Sequence, residues 1–179
     1  MWEIEAILEA VGRPLSEREI GIAMRLQRNP WSPRLEPERY ASWKPVDPRA
    51  WRMPDRPVPA SYVSFLQWSD GGHFRNGDRC FQMCGTGLRQ MALDCLLPEF
   101  MPGALPFAFN GGGVMYLFDM RRPADAGEYP IVCARAGSFS WKPGCLARVA
   151  DGFVEACRGR TNVEIALTAA LRQALAEQR

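Results

Sequence analysis

Leu105-Pro-Phe-Ala-Phe-Asn-Gly-Gly-Gly-Val-Met-Tyr-Leu-Phe-Asp119 reads as strand, glycine turn, strand. Two apolar runs, Leu105–Phe109 and Val114–Phe118, flank Asn110-Gly-Gly-Gly113. Asn-Gly between such runs is a hairpin signal, because Gly and Asn tolerate the positive φ that tight turns impose. A phosphate-binding loop would instead lead into a helix and carry a nearby lysine, and neither is present here. Other segments extend the sheet. Arg79–Cys84 alternates weakly, and Tyr129–Ala134 is a strand whose proline lies near its entry, where a missing N–H costs least. Ser138–Trp141 reads as a short continuation.

Helices are expected around this sheet. Ile4, Ile7, Leu8 and Val11 recur at helical spacing over residues 2–11, and Gly12 and Pro14 stop the pattern. Ser16-Glu-Arg-Glu19 is a capping box opening a second helix, with Ile20, Ala23, Met24 and Gln27 on one face, that should fail by Pro30. A helix resumes at Pro59, with Tyr62, Phe65 and Leu66 on one face and Trp68 near its end, and Gly71-Gly72 turns the chain. Thr86–Leu97 is helical or turn-like. Leu146, Val149, Ala150, Phe153 and Val154 fit one face of a further helix, and Thr161-Asn-Val-Glu164 is a second capping box opening the last.

Between the first helices and Pro59 the composition changes. Eight of the 15 prolines lie between Pro30 and Pro59, together with Trp31, Trp43 and Trp51. Prolines this dense exclude helix and central strand. The tryptophans argue against a disordered linker, so an ordered strap laying its indoles on the globular body is expected. A proline-rich ligand for another domain is the rival reading, but no Pro-x-x-Pro repeat carries through.

The 179 residues suffice for one domain with its own core. The layout is an α+β domain with a small, mostly antiparallel sheet flanked by helices. It divides into N-terminal helices at 2–28, the strap at 30–56, a core at about 57–158 and a C-terminal helix at 161–179. Net charge is +2, too balanced for the concentrated basic patch of a nucleic-acid binder or a polybasic membrane anchor. No apolar run approaches the roughly 18 residues needed to cross a bilayer, and the acidic N-terminus is unlike a signal peptide. The chain is therefore expected in the cytoplasm. Its six cysteines, Cys80, Cys84, Cys95, Cys133, Cys145 and Cys157, read as buried free thiols. The Cys80/Cys84 spacing lacks the second pair or the histidines of a zinc site.

Pro59-Ala-Ser-Tyr62, Phe65-Leu66 and Ser69-Asp-Gly-Gly72, followed by Phe107-Ala-Phe-Asn-Gly-Gly-Gly113 and Tyr116-Leu-Phe-Asp119, resemble the two signature blocks of the SUKH superfamily. Pro130-Ile-Val132 and the segment containing Leu146, Val149 and Phe153 sit where that family places its next strand and helix. Val58 and Asp70 depart from its usual leucine and asparagine, and the tryptophan strap lies outside its pattern. The resemblance, to the domain of the yeast Smi/Knr cell-wall regulator and of bacterial immunity proteins, implies a Smi/Knr-like fold and a binding role.

The residues offer little chemistry. His73, the single histidine, with Asp70 and either Ser69 or Cys80 has the atom types of a hydrolase, yet no Gly-x-Ser-x-Gly elbow exists and His73 reads as a loop residue. Asp119, Asp125 and Glu128 surround one polar loop and suit a partner-facing rim better than acid/base work. The expectation is a non-catalytic, immunity or antitoxin-like protein, with no metal or cofactor, that occludes a cognate toxin domain. A general interaction or regulatory module is the alternative, and a hydrolase using His73 the third. Exposed residues beside the glycine turns are the candidate contacts: Trp68, Asp70, His73, Phe74, Asn110, Asp119 and Glu128. The net charge of +2 weakens the inhibitor-of-a-basic-nuclease version of this idea.

Overall fold

The computed structural model describes residues 11–177. The expected helix at 2–11 lies outside the described residues except for Val11, which is buried in a turn. Six strands form one antiparallel sheet in sequence order: β1 (Gly72–Asn76), β2 (Arg79–Met83), β3 (Ala104–Phe109), β4 (Val114–Asp119), β5 (Ile131–Arg135) and β6 (Leu146–Ala150). The helices are α1 (Glu17–Leu26), α2 (Pro37–Ser42), α3 (Ala60–Trp68), α4 (Leu88–Asp94), α5 (Leu97–Phe100), α6 (Phe153–Arg158) and α7 (Val163–Glu177). No described helix is long and apolar enough to cross a membrane.

The β3–β4 hairpin forms where the glycine run demands it. Asn110 N donates to Val114 O (2.9 Å), and Gly111 and Gly113 take φ of +79° and +85°. Register slips between Pro106 and Ala108, at the residue that has no N–H to give the ladder. β3 and β4 are buried on both faces, so their side chains form the centre of the core.

One sheet face is aromatic. Tyr62 of α3 meets Phe107, Phe118 and Phe153 edge-on, with ring centroids 6.1, 5.5 and 5.1 Å away. Such pairs add roughly 0.5–1.5 kcal/mol each beyond the area they bury. Cross-strand partners Tyr116 and Cys133 share that face, and α7 closes over it, with Val163 O 4.0 Å from Cys133 Sγ. α4 packs on β3, and α1 on α4.

Several expectations are corrected. Leu146–Val154 is not one helix: Leu146–Ala150 is β6, paired with β5, and Asp151-Gly152 separates it from α6. Five apolar positions satisfy a helical face in sequence, but a neighbouring strand with unpaired backbone groups recruits the first half into the sheet. Ser138–Trp141 is irregular chain. His73 lies in β1, not in a loop. The second capping box does not form: Asn162 Oδ1 accepts the Glu164 amide (3.0 Å), while the Glu164 side chain turns to Asn110 (3.0 Å). The first is present as read, between Ser16 and Glu19.

The strap packs on α1, and its prolines start helices as well as excluding them. Pro37 opens α2 and Pro48 a 3₁₀ turn, each at the first position, where no N–H is needed. Gln27, buried at the end of α1, grips the strap by exchanging two hydrogen bonds with the Val46 backbone (2.8 and 2.7 Å). Of the three indoles, Trp51 is buried; Trp31 and Trp43 are half-buried, and Trp31 lies 4.6 Å beneath the Arg39 guanidinium within the strap itself.

Candidate functional site: an apolar groove beside an edge strand

The first signature block is an architectural lock. Tyr62, fully buried, donates its hydroxyl to Gly85 O (2.8 Å). Burial pushes its pKa up, so the phenol remains a donor. Asp70 Oδ1 accepts the Thr86 amide (2.7 Å), and Gly71 and Gly85, at φ of +94° and +58°, bring the two turns into contact. A Cβ on Gly71 would stand 2.9 Å from Met83 O. The Asp-Gly-Gly corner thus joins the turn after α3 to the turn after β2.

Most remaining candidate contacts also hold the framework. Asn110 Oδ1 accepts the Gly112 and Val114 amides (2.7 and 2.9 Å). Asp119 accepts two hydrogen bonds from the Arg121 side chain (2.8 and 2.7 Å), whose guanidinium lies 3.6 Å over the Trp141 ring, and Trp141 Nε1 donates to Pro102 O (3.0 Å). Glu128 Oε2 accepts the Phe153 amide (3.0 Å) at the start of α6. Asn110 and Asp119 flank opposite ends of β4, about 20 Å of strand apart at ~3.4 Å per residue. These three polar residues do not gather at one place.

Trp68 and Phe74 do lie together, at the start of β1, whereas His73, next to Phe74 in the strand, projects from the other face. Trp68 is 72% exposed, and its ring is 5.8 Å from Phe74 and 6.2 Å from Phe65. Beside them runs a groove of about 360 Å³ between α3, the β1–β2 hairpin and α6. Phe65, Phe74, Phe81 and Phe153 line it, and Val154 stands 45% exposed at its margin. Its only charged lining residues among those described are Arg75 and Arg158.

The groove owes its shape to polar ties. Buried Arg79 donates to Ala156 O and Thr161 O (3.0 Å each), and Asn76 Nδ2 donates to Cys157 O and Arg158 O (3.2 and 2.9 Å). These bonds cap the C-terminal carbonyls of α6 and hold the hairpin against it. The sequence reading missed the hairpin, and with it Arg75, Phe81, Val154 and Arg158. Its signal was Asn76-Gly77-Asp78 between Phe74 and Phe81, a turn sequence inside an aromatic alternation.

A hydrolytic arrangement around His73 is not assembled among the described residues. Ser69 Oγ donates to Gly71 O (2.7 Å), Asp70 serves Thr86, and His73 is exposed opposite Gln82. All six cysteines are unpaired. Burial pushes the Cys84 and Cys133 thiols up to about 12 and that of Cys157 to about 11, the reverse of an activated nucleophile.

The family model described as "SMI1 / KNR4 family (SUKH-1)" matches residues 54–156, more than half of the chain. The match begins within the strap, covers α3 through β6 and ends in α6. No curated protein and no solved structure matches the chain.

Proposed function

Since the chain belongs to the SMI1/KNR4 family (SUKH-1), we propose that it is a non-catalytic binding protein of the immunity or antitoxin kind, which occludes a cognate toxin domain. The observation that carries this reading is the cluster of Trp68, Phe65 and Phe74 at the mouth of an apolar groove. Although it touches Phe65 and Phe74, the Trp68 indole is left 72% exposed, available to a partner. Aromatic side chains beside a pocket with a polar rim are what tight interfaces use as anchors. Inhibition would be steric and electrostatic, with no bond made or broken.

The test is co-expression with the product of the adjacent gene, followed by pull-down and a toxicity assay. A stable complex that relieves toxicity, weakened at least tenfold by Trp68→Ala, supports the reading. Failure of every neighbouring product to bind would overturn it in favour of a regulatory module of the Smi/Knr type.

A further inference from the structure

β1 is an edge strand, and its pairing determines which backbone groups are left open. The hairpin turn is the two residues Gly77 and Asp78, with Asn76 opposite Arg79. Gly77, at φ +60°, supplies the positive φ such a turn requires at its first position. In a two-residue hairpin the closing pair exchanges both hydrogen bonds, and bonded and non-bonded pairs then alternate. Asn76/Arg79, Phe74/Phe81 and Gly72/Met83 are therefore the bonded pairs. His73 and Arg75 are not, so their N–H and C=O groups point outward, away from β2. None of the four is hydrogen-bonded among the described residues.

A strand laid along this edge would place alternate side chains on the two sheet faces. Those on the face of Phe74 and Phe81 would enter the apolar groove. By alternation His73 and Arg75 project from the other face, where the second set would stand; Arg75 also contributes to the groove lining at the strand edge, and Arg158 lies on the groove face. Among the described residues, no carboxylate lines the groove. We propose that β1 accepts an extended segment of the partner protein, alternating apolar and acidic residues, as a seventh strand. The proposal rests on the binding reading above and deepens it by naming the partner's chemistry.

Charge argues against a second copy as the occupant. Antiparallel pairing of two β1 strands in the register that sets Arg75 against Arg75 of the other chain places like charges opposite one another, which is unfavourable. The same arginine that repels a copy attracts an acidic strand.

The probes are three capped octapeptides, (Glu-Val)₄, (Lys-Val)₄ and (Glu-Ser)₄, followed by amide hydrogen exchange on the full chain. Expected are at least tenfold slower exchange of the His73 and Arg75 amides with (Glu-Val)₄ alone, and a shift in Trp68 emission. Arg75→Pro removes an outward N–H while the β1–β2 ladder keeps all its bonds. It should abolish that protection with an unchanged thermal midpoint. Should Arg75→Pro lower that midpoint, Arg75→Glu decides, by shifting preference to (Lys-Val)₄. Equal binding of the acidic and basic peptides, protection elsewhere, or no binding by any peptide at millimolar concentration would overturn the proposal. Concentration-dependent self-association lost in Arg75→Pro would overturn it too, by assigning the edge to a second copy. A neighbouring gene product that binds Arg75→Pro as well as it binds the native chain would sink this proposal and leave the immunity reading standing. If no neighbour binds, the immunity reading falls, and the peptides still decide this one.

Discussion

Arg89 Nε donates to Glu19 Oε1 across 2.9 Å, tying α1, which precedes the family-matched region, to α4 within it. Arg89 also donates to the backbone carbonyls of Arg13 (3.0 Å) and Pro14 (3.3 Å), and Arg13 pairs with the same carboxylate at 2.8 Å. Both side chains of the central pair are nearly buried, at 10% and 12% exposure. Burial alone would raise the Glu19 pKa. Hydrogen bonds from Arg89, Arg13 and the Ser16 backbone and hydroxyl more than offset this and hold it well below the ordinary 4.5.

Acid should therefore loosen this junction. Below about pH 4.5 the unfolded chain takes up a proton that the folded carboxylate refuses, so the stability contributed at neutral pH is lost as pH falls toward the depressed folded value. Glu19→Gln should cost about 3 kcal/mol at pH 7, because it removes the carboxylate that Arg89 and Arg13 share. It should also flatten the acid limb of a plot of urea midpoint against pH. An unchanged acid limb would remove Glu19 as its cause.

Tyr62→Phe keeps the aromatic packing and deletes only the bond to Gly85 O. A loss of about 1–2 kcal/mol is expected, since a buried carbonyl is left without its donor. A double-mutant cycle with Asp70→Ala should show coupling, because both bonds hold the same two turns together. Additive costs would show the two ties to be independent.

Glycine at 113 and glycine at 85 serve different ends. A Cβ on Gly113 (φ +85°) would meet nothing within 4 Å, so Gly113→Ala should cost only the backbone penalty, about 1 kcal/mol. On Gly85 (φ +58°) it would lie 2.8 Å from the Asp70 backbone, and Gly85→Ala should cost about 3 kcal/mol. Chemical denaturation of the two variants measures the difference. Equal costs would mean that the two turns are not locked by close approach.

The raised thiols make a pH-dependent prediction of the opposite sign. Cys84, Cys133 and Cys157 stay protonated when folded, while unfolded thiols ionise near 9.0. Their contribution is complete below pH 9 and is lost as pH rises toward 11–12. At pH 8 the buried Cys133 should resist a thiol reagent such as 5,5′-dithiobis(2-nitrobenzoate) until the chain unfolds. Rapid native labelling of Cys133, read by peptide mapping, would contradict its burial beneath α7.

Where the chain carries strong local instructions, its structure was legible in advance. Asn110 and the three following glycines permit little but a turn, Ser16 and Glu19 cap a helix through their own side chains, and Tyr62 with Phe65 and Leu66 declares a buried face. The segments misread were those whose local pattern serves two structures. Leu146–Val154 satisfies helical periodicity, yet the open edge of β5 claims its first half. Gly72–Asn76 is too polar and glycine-flanked to look like a strand, and becomes one because Phe74 can pack on Phe65 once β2 is alongside.

Residue order by itself determined the β3–β4 turn, the start of α1 and the α+β class, because backbone sterics and side-chain capping act within a few residues. Only the tertiary structure decided which candidate contacts remain at the surface. Asp70 and Glu128 satisfy backbone amides of other segments, and Asn110 those of its own turn, whereas Trp68, Phe74 and the outward edge of β1 are left with apolar surface and hydrogen-bonding groups that the described residues do not cover. That distinction depends on which distant segments meet, and no local pattern carries it.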